Sequence, residues 1–189
     1  MARRCILVAV LFLVGPGTAE AEVAASWRAH DTQFSYQGFT TTYSCQGLKD
    51  KMESLLVYFG ARSEGLKVST QGCSAPPFRP APAVDLRMRF ETLAPVSGAV
   101  GEAIAARWAE RDLSGETKVQ QEAPQWITRG DCELVERFVD LVLPMFSHRI
   151  LENRITCIPH RRSGTLPTVR VEVLVPDSAD PSVGSATPR

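Results

Sequence analysis

The sequence predicts an α+β fold in which a strand–helix–strand–strand unit occurs twice, sharing an antiparallel sheet with both helices on one face. Three observations lead to this prediction. Two amphipathic stretches each begin at a cysteine, a further cysteine closes the segment after each stretch, and an alternating strand follows in both halves. Because the same series occurs twice in the same order, we expect a tandem pseudo-repeat with one disulfide per repeat.

The two helical stretches match position by position. Their apolar residues follow the i, i+4, i+7, i+8 spacing of a helix with one buried face. These residues are Leu48, Met52, Leu55, Leu56 and Phe59 in the first stretch, and Val135, Val139, Val142, Leu143 and Phe146 in the second. We therefore expect helices from Cys45 to about Phe59 and from Cys132 to about Met145.

The residues at the helix ends support these boundaries. Ser44 and Asp131 each stand one residue before a cysteine and are expected N-caps. A side-chain oxygen at that position can accept a hydrogen bond from a free amide of the first turn. Gly60 suits the left-handed position that ends a helix. Pro144 stands in the last turn of the second helix, which it should weaken or kink.

Two strands carry the clearest signal in the chain. Val84–Phe90 alternates apolar with charged residues throughout, and Val169–Val175 matches it over most of its length. This alternation is typical of a strand with one buried face. Weaker patterns predict one strand before the first helix and one between each helix and its second cysteine. Ala103–Leu113 is interpreted as a strand with Trp108 buried, although its alanines leave a helix as the competing interpretation.

The N-terminal segment, residues 1–21, is typical of a secretory signal peptide. Arg3 and Arg4 precede the apolar run Cys5–Val14, and Ala19–Ala21 supplies the small residues of a cleavage site. The apolar run is shorter than the ~20 residues that span a bilayer, so a retained membrane anchor is the less favoured alternative. We therefore expect a periplasmic or secreted protein.

The rest of the chain has the length of one domain. We expect a single α+β domain over residues 22–176, with halves of about 22–95 and 102–176, and a disordered tail over residues 177–189. The full sequence holds 21 basic and 21 acidic residues. This balance argues against a nucleic-acid-binding protein. After removal of the signal we expect no stable membrane insertion.

The four cysteines beyond the signal segment are expected to form two disulfides, Cys45–Cys73 and Cys132–Cys157. A helix of about 15 residues rises ~22 Å, and a returning strand of about eight residues covers ~26 Å. The two cysteines of each half therefore meet at one corner of the domain, as a disulfide requires. A four-cysteine metal site is the alternative, but such sites use closely spaced cysteine pairs that this sequence lacks. We expect no metal and no cofactor.

The polar residues contain no established catalytic motif. The predicted helix places His148 and His160 at opposite ends of the domain, and the sequence has neither a G-x-S-x-G serine motif nor a glycine-rich phosphate loop. The weak ligand-site candidates are the basic group His160, Arg161 and Arg162, together with Asp131, which the helix and strand lengths place at the same end of the domain. A solvated turn and a helix cap are the plainer interpretation of these residues.

Two hypotheses for the function follow. The first is a non-enzymatic exported binding or interaction module of the cell envelope, whose partner is an envelope protein or a small ligand. The second is a small periplasmic hydrolase that uses His160 with Asp131 or the neighbouring arginines. We favour the first, because the sequence predicts two rigid halves, each closed by its own disulfide, without a catalytic constellation.

Overall fold

The computed structural model describes residues 22–73, 79–96, 103–113, 129–158 and 167–177. Within these ranges the chain forms a six-stranded antiparallel sheet and two α-helices, which confirms the α+β class. Neither of these helices has the length and apolar character needed to cross a bilayer. The predicted signal peptide and tail residues 178–189 lie outside the described residues. The elements are β1 (Val23–Tyr36), α1 (Cys45–Tyr58), β2 (Lys67–Gln71), β3 (Val84–Pro95), β4 (Ile104–Asp112), α2 (Cys132–Leu141), β5 (His148–Arg154) and β6 (Thr168–Pro176).

The strands lie in the order β2-β3-β1-β4-β6-β5, so the two halves of the chain occupy opposite sides of the sheet. In each half the last strand is the middle one: β3 lies between β2 and β1, and β6 lies between β5 and β4. The halves join where Val23–Ala25 of β1 pairs with Ile104–Ala106 of β4. This short junction makes the two halves one continuous sheet.

Both helices pack against one face of the sheet, which we call the inner face. The alternating apolar residues of β3 and β6 lie on this face, and Val84–Phe90 and Val169–Val175 contribute side chains that are at most 5 % exposed. They form one buried cluster with residues of both helices. Phe59, just after α1, contacts Phe138 of α2, with ring centroids 4.9 Å apart. A single hydrophobic core therefore connects the two halves.

The first helix has the predicted ends. The Ser44 hydroxyl accepts a hydrogen bond from the Gly47 amide at 3.0 Å, as expected of an N-cap. Gly60 follows the helix with φ of +94°, the left-handed conformation that glycine adopts most readily. A Cβ at this position would also lie 2.8 Å from Cγ1 of Val175 in β6. Both the backbone conformation and the packing therefore require glycine.

The second helix differs from the prediction at both ends. It stops at Leu141, and Pro144 lies in a separate 3₁₀ turn, Leu143–Met145. Proline lacks an amide hydrogen and crowds the preceding turn, so the α-helix ends before it. Asp131 precedes the helix, but its side chain makes no capping hydrogen bond, and this part of the prediction is wrong. Its carboxylate accepts hydrogen bonds from first-half side chains instead.

Both predicted disulfides are present. Cys45 is bonded to Cys73 with Cα atoms 6.4 Å apart, and Cys132 is bonded to Cys157 with Cα atoms 5.7 Å apart. Each bond links the first residue of a helix to the segment beyond the following strand. Because each bond lies within one half, the halves are held to each other by strand pairing, packing and hydrogen bonds.

The opposite side of the sheet, which we call the outer face, carries a second, smaller apolar cluster. Its members are Ala25, Leu93, Ala106 and Leu174, which are buried, and Val23, Trp27, Ile104 and Trp108, which are partly buried. β4 is a strand as predicted, but Trp108 is only partly buried. Successive side chains of a strand point to opposite faces, so Ala109 joins the inner core and Trp108 lies on the outer face.

Candidate functional site

The ligand residues predicted from the sequence are only partly covered by the structure. Those outside the described residues are His160, Arg161 and Arg162. Asp131 is 1 % exposed and lies just before α2. Its Oδ1 accepts a hydrogen bond from the Tyr43 hydroxyl and lies 2.5 Å from Lys51 Nζ. A buried carboxylate held by a hydroxyl and an ammonium is poorly placed to act as a general base.

Glu133 anchors the segment between β1 and α1. Its carboxylate accepts hydrogen bonds from the Phe39 amide at 2.8 Å and from the Thr40 amide and hydroxyl, both at 3.1 Å. Glu133 thus connects the second half of the chain to the first. Burial, and then the nearby carboxylates, raises the pKa of Tyr36 and of Tyr43, so both phenols remain protonated. This polar cluster joins the halves where their helices begin.

His30 takes part in a second polar connection, on the inner face. Its Nε2 lies 2.9 Å from Thr92 Oγ1, and the Thr92 hydroxyl donates to the Met145 carbonyl oxygen at 2.8 Å. Since that hydroxyl has a single hydrogen, His30 must donate through Nε2 and cannot act as a base toward Thr92 in this arrangement. Burial, with a smaller effect of Arg28, lowers the pKa of His30 and favours its neutral form.

The outer face carries a four-residue cluster in the first half, which we call the first Trp–Arg set. Trp27 of β1 lies directly across from Leu93 of β3. The Arg62 guanidinium lies over the Trp27 ring, 5.5 Å from its centroid, and donates to the Glu91 carboxylate at 3.3 Å. The Arg62 amide also donates to the Glu91 carbonyl oxygen at 3.0 Å. Backbone and side chain together therefore fix the position of this arginine.

The second half carries the same residue types in the same arrangement, which we call the second Trp–Arg set. Trp108 of β4 lies directly across from Leu174 of β6. The Arg149 guanidinium lies 4.1 Å from the centroid of the Trp108 ring and donates to Glu172 at 3.3 Å. Arg149 and Glu172 are themselves opposite each other in β5 and β6. Each set thus combines a leucine, a tryptophan, an arginine over the indole and a glutamate that holds the arginine.

These arginines differ from ordinary surface ion pairs because each is held from two sides. A guanidinium over an exposed aromatic ring contributes about 0.5–1 kcal/mol, and the glutamate restricts its orientation. Side chains that are fixed in advance lose less entropy when a partner binds. Tryptophan and arginine are also the residue types that most often dominate the binding energy of protein interfaces. These features make the outer face a candidate binding surface.

A sequence signal for these sets exists, although the alternation of apolar residues obscures it. Residues 89–95 are Arg-Phe-Glu-Thr-Leu-Ala-Pro, and residues 170–176 are Arg-Val-Glu-Val-Leu-Val-Pro. Both segments have Arg, Glu, Leu and Pro at alternate positions. An alignment of the two strands by apolar alternation alone matches Val84 with Val169, and it then fails to match the two segments with each other. The strand pairings correct the alignment, because they place Arg89 and Arg170 in corresponding positions.

The candidate site therefore consists of the two Trp–Arg sets and the small apolar cluster of the outer face. Its components come from strands of both halves and from the segments that follow each helix. The chain matches no protein-family model, and neither a curated protein nor a solved structure matches it.

Proposed function

We propose that the protein is an exported, non-enzymatic binding module of the cell envelope that takes an envelope protein as its partner on the outer face. The observation that carries this proposal is the pair of Trp–Arg sets. They hold aromatic and guanidinium groups in fixed positions on the side of the sheet opposite the two helices. The hydrolase alternative around His160 gains no support from the described residues, because Asp131 is buried and already engaged.

Export to an oxidising compartment is supported by two independent features. The first is the signal-like pattern of residues 1–21. The second is the pair of disulfides, which persist in the periplasm or outside the cell and are rare in the cytosol. We therefore place the protein in the periplasm or the secreted fraction.

We also infer that the chain is a tandem duplication, so that the outer face has approximate twofold symmetry. The register of β1 and β4 supports this. The pairs are Val23–Ala106, Ala24–Ala105 and Ala25–Ile104. An alignment of Trp27 with Trp108 assigns each residue of β1 a counterpart in β4. If every residue is replaced by its counterpart, the first pair becomes the third, the third becomes the first, and the middle pair is unchanged. A twofold axis through the middle pair would produce this register.

Contacts between the halves support the same inference. The Arg111 guanidinium of β4 donates to the Tyr58 carbonyl oxygen at 2.6 Å. The Thr92 hydroxyl of β3 donates to the Met145 carbonyl oxygen at 2.8 Å. Tyr58 and Met145 stand at the same distance in sequence from the cysteine that begins their helix. In each case a strand of one half contacts the end of the helical segment of the other half.

The proposed function is tested by site-specific photocrosslinking of the full chain exported in its native host. One variant carries a photoreactive residue at Lys67, which is exposed on the outer face across from Arg89. The matched control carries it at Val57, which is 45 % exposed on α1. We expect a discrete protein adduct from position 67, weakened several-fold by Trp27→Ala, and none from position 57. No adduct from position 67, or equal adducts from both positions, would contradict the proposal.

A further inference from the structure

Each Trp–Arg set overlaps a group of three residue pairs formed between neighbouring strands on the outer face, which we call its frame. The two frames differ at one position. The first-half pairs are Trp27–Leu93, Ala29–Glu91 and Asp31–Arg89. The second-half pairs are Trp108–Leu174, Glu110–Glu172 and Asp112–Arg170. Five of the six corresponding positions have the same residue type, and all of them lie on the outer face. The difference is an alanine at position 29, where the second half has Glu110.

In the second half, Glu110 is the nearer anionic partner of Arg170, which also pairs with Glu152 at 3.6 Å. The Nε and Nη2 atoms of Arg170 both donate to Glu110 Oε1, at 2.8 and 2.7 Å. Hydrogen bonds between charged groups are the stronger ones, and a planar guanidinium suits a carboxylate well. The space beside Arg170 is therefore filled by a carboxylate that the chain itself supplies.

In the first half, the corresponding space is open. A pocket of about 390 Å³ lies over Ala29, and its outer-face lining includes Asp31, Glu64, Arg89 and Glu91. Its volume falls in the lower part of the range of ligand sites. The side chain of Arg89 is 57 % exposed, and within the described residues it donates through Nε alone, to Asp31 at 2.9 Å. Its terminal nitrogens remain available to a further acceptor.

The acidic residues of the pocket do not exclude an anion, because each is already paired with an arginine. Asp31 binds Arg87 through both carboxylate oxygens at 3.0 Å. Arg62 pairs with Glu64 at 3.2 Å and with Glu91 at 3.3 Å. Because Glu64 and Glu91 share Arg62, the three carboxylates are matched in number only when Arg89 is counted with Arg62 and Arg87. Among the described residues, Arg89 shares its one carboxylate partner, Asp31, with Arg87.

The two halves differ in the charged residues around these arginines, and the differences indicate which charge a ligand of the first half would carry. Relative to the second half, the first lacks the carboxylate of Glu110. It also has an additional guanidinium, because Arg87 stands two residues before Arg89, whereas Thr168 stands two residues before Arg170. Both differences make the first-half frame more positive than the second. An anionic group entering the pocket would supply the charge that the Glu110 carboxylate supplies in the other half.

We propose that the pocket over Ala29 binds a carboxylate, namely an acidic side chain of a polypeptide partner, in the place that Glu110 fills in the second half. This recognition rests on the proposed function, since it names the chemistry by which the outer face selects its partner. The carboxylate accepts hydrogen bonds from the terminal nitrogens of Arg89, and Arg87 and Asp31 hold that arginine in place.

The test is a titration of the disulfide-bonded mature chain with the tripeptide N-acetyl-Ala-Glu-Ala-amide, followed by NMR at the Ala29 amide and the Arg89 Nε–H. We expect saturable binding at one site. Ala29→Glu should lower the affinity at least tenfold, because an internal carboxylate then occupies the pocket. Glu110→Ala should open the corresponding space beside Arg170 and raise the number of sites from one to two. The matched control, Glu110→Gln, keeps that space filled and should retain one site.

Three results would overturn the proposal: no shift at Ala29 in the parent chain, unchanged binding by Ala29→Glu, or a single site in Glu110→Ala with a parent-like spectrum of the inner core. Acetate is titrated in parallel. Equal affinity for acetate and the tripeptide would exclude a polypeptide side chain as the specific ligand. The proposed function fails separately, since it depends on photocrosslinking at Lys67 and not on this titration.

Discussion

The Tyr43 hydroxyl donates a hydrogen bond to the Asp131 carboxylate across 88 positions of sequence, from the first half of the chain to the second. Lys51 contacts the same carboxylate oxygen, and its ammonium lies 5.0 Å from the centroid of the Tyr43 ring. Tyr43 is 8 % exposed and Asp131 is 1 % exposed. A charge buried to this extent is stable only when it is paired and hydrogen-bonded. The cluster therefore connects two halves that the disulfides do not join.

The substitution Tyr43→Phe should lower the free energy of unfolding by about 1–3 kcal/mol, because it leaves a buried carboxylate short of a donor. Urea denaturation with an unchanged m-value measures the loss. Tyr36→Phe is the matched control, since the Tyr36 hydroxyl donates to a neutral acceptor, the Thr41 carbonyl oxygen, at 2.9 Å. It should cost only about 0.5–1.5 kcal/mol. An equal loss of unfolding free energy in both variants would show that the hydrogen bond to Asp131 stabilises the protein no more than the bond to a neutral acceptor does.

The two disulfides should stabilise the protein to a similar extent. They close segments of similar length, with sequence separations of 28 and 25 residues. The chain-entropy treatment then predicts a loss of about 3–4 kcal/mol for each double serine variant, Cys45→Ser/Cys73→Ser or Cys132→Ser/Cys157→Ser. Urea denaturation under non-reducing conditions compares the two variants. Parent-like stability of either one would mean that its bond does not constrain the unfolded chain.

The stability of the folded protein should decrease as the pH is lowered through the range where His30 titrates. Burial lowers the pKa of His30 below its ordinary value of 6.5, so the unfolded chain takes up a proton before the folded chain does. The stability contributed by neutral His30 is therefore present above that ordinary value and is lost as the pH falls below it. When the pH is lowered from about 7.5 to about 5.5, we expect the melting temperature of His30→Gln to decrease less than that of the parent protein. Equal decreases in the two proteins would exclude His30 as the responsible group.

Local sequence patterns predicted the helices, most strands and both disulfides. The apolar spacing after Cys45 depends only on the geometry of one helix, and so does the capping role of Ser44. The pairing of Cys45 with Cys73 follows from the lengths of two consecutive elements. Such features need no information about distant parts of the chain, which is why sequence reasoning is sufficient for them.

Features that depend on contacts between distant segments could not be predicted in this way. Asp131 stands where an N-cap is expected, yet Tyr43 and Lys51 reach its carboxylate from the other half. Arg62 meets Trp27 only because β1, β3 and the segment after α1 lie side by side. The site on the outer face is therefore a product of strand order and register, which hydrophobic alternation alone does not determine.

The joining of the halves at β1 and β4, which places both Trp–Arg sets on one face, is tested most directly by an engineered disulfide. Ala24 and Ala105 lie directly across from each other in this pair, and both are exposed. Residues opposite each other in antiparallel strands have Cα atoms about 4.5–5.5 Å apart, within the reach of a disulfide.

We expect Ala24→Cys/Ala105→Cys to form a third disulfide in the protein produced under oxidising conditions, detected by non-reducing peptide mass mapping, with both native bonds retained. The control, Ala24→Cys/Arg107→Cys, places the second cysteine two residues further along β4 and should remain largely unlinked. Free thiols at positions 24 and 105, or equal linkage in the control, would contradict the continuous sheet and the outer face built on it.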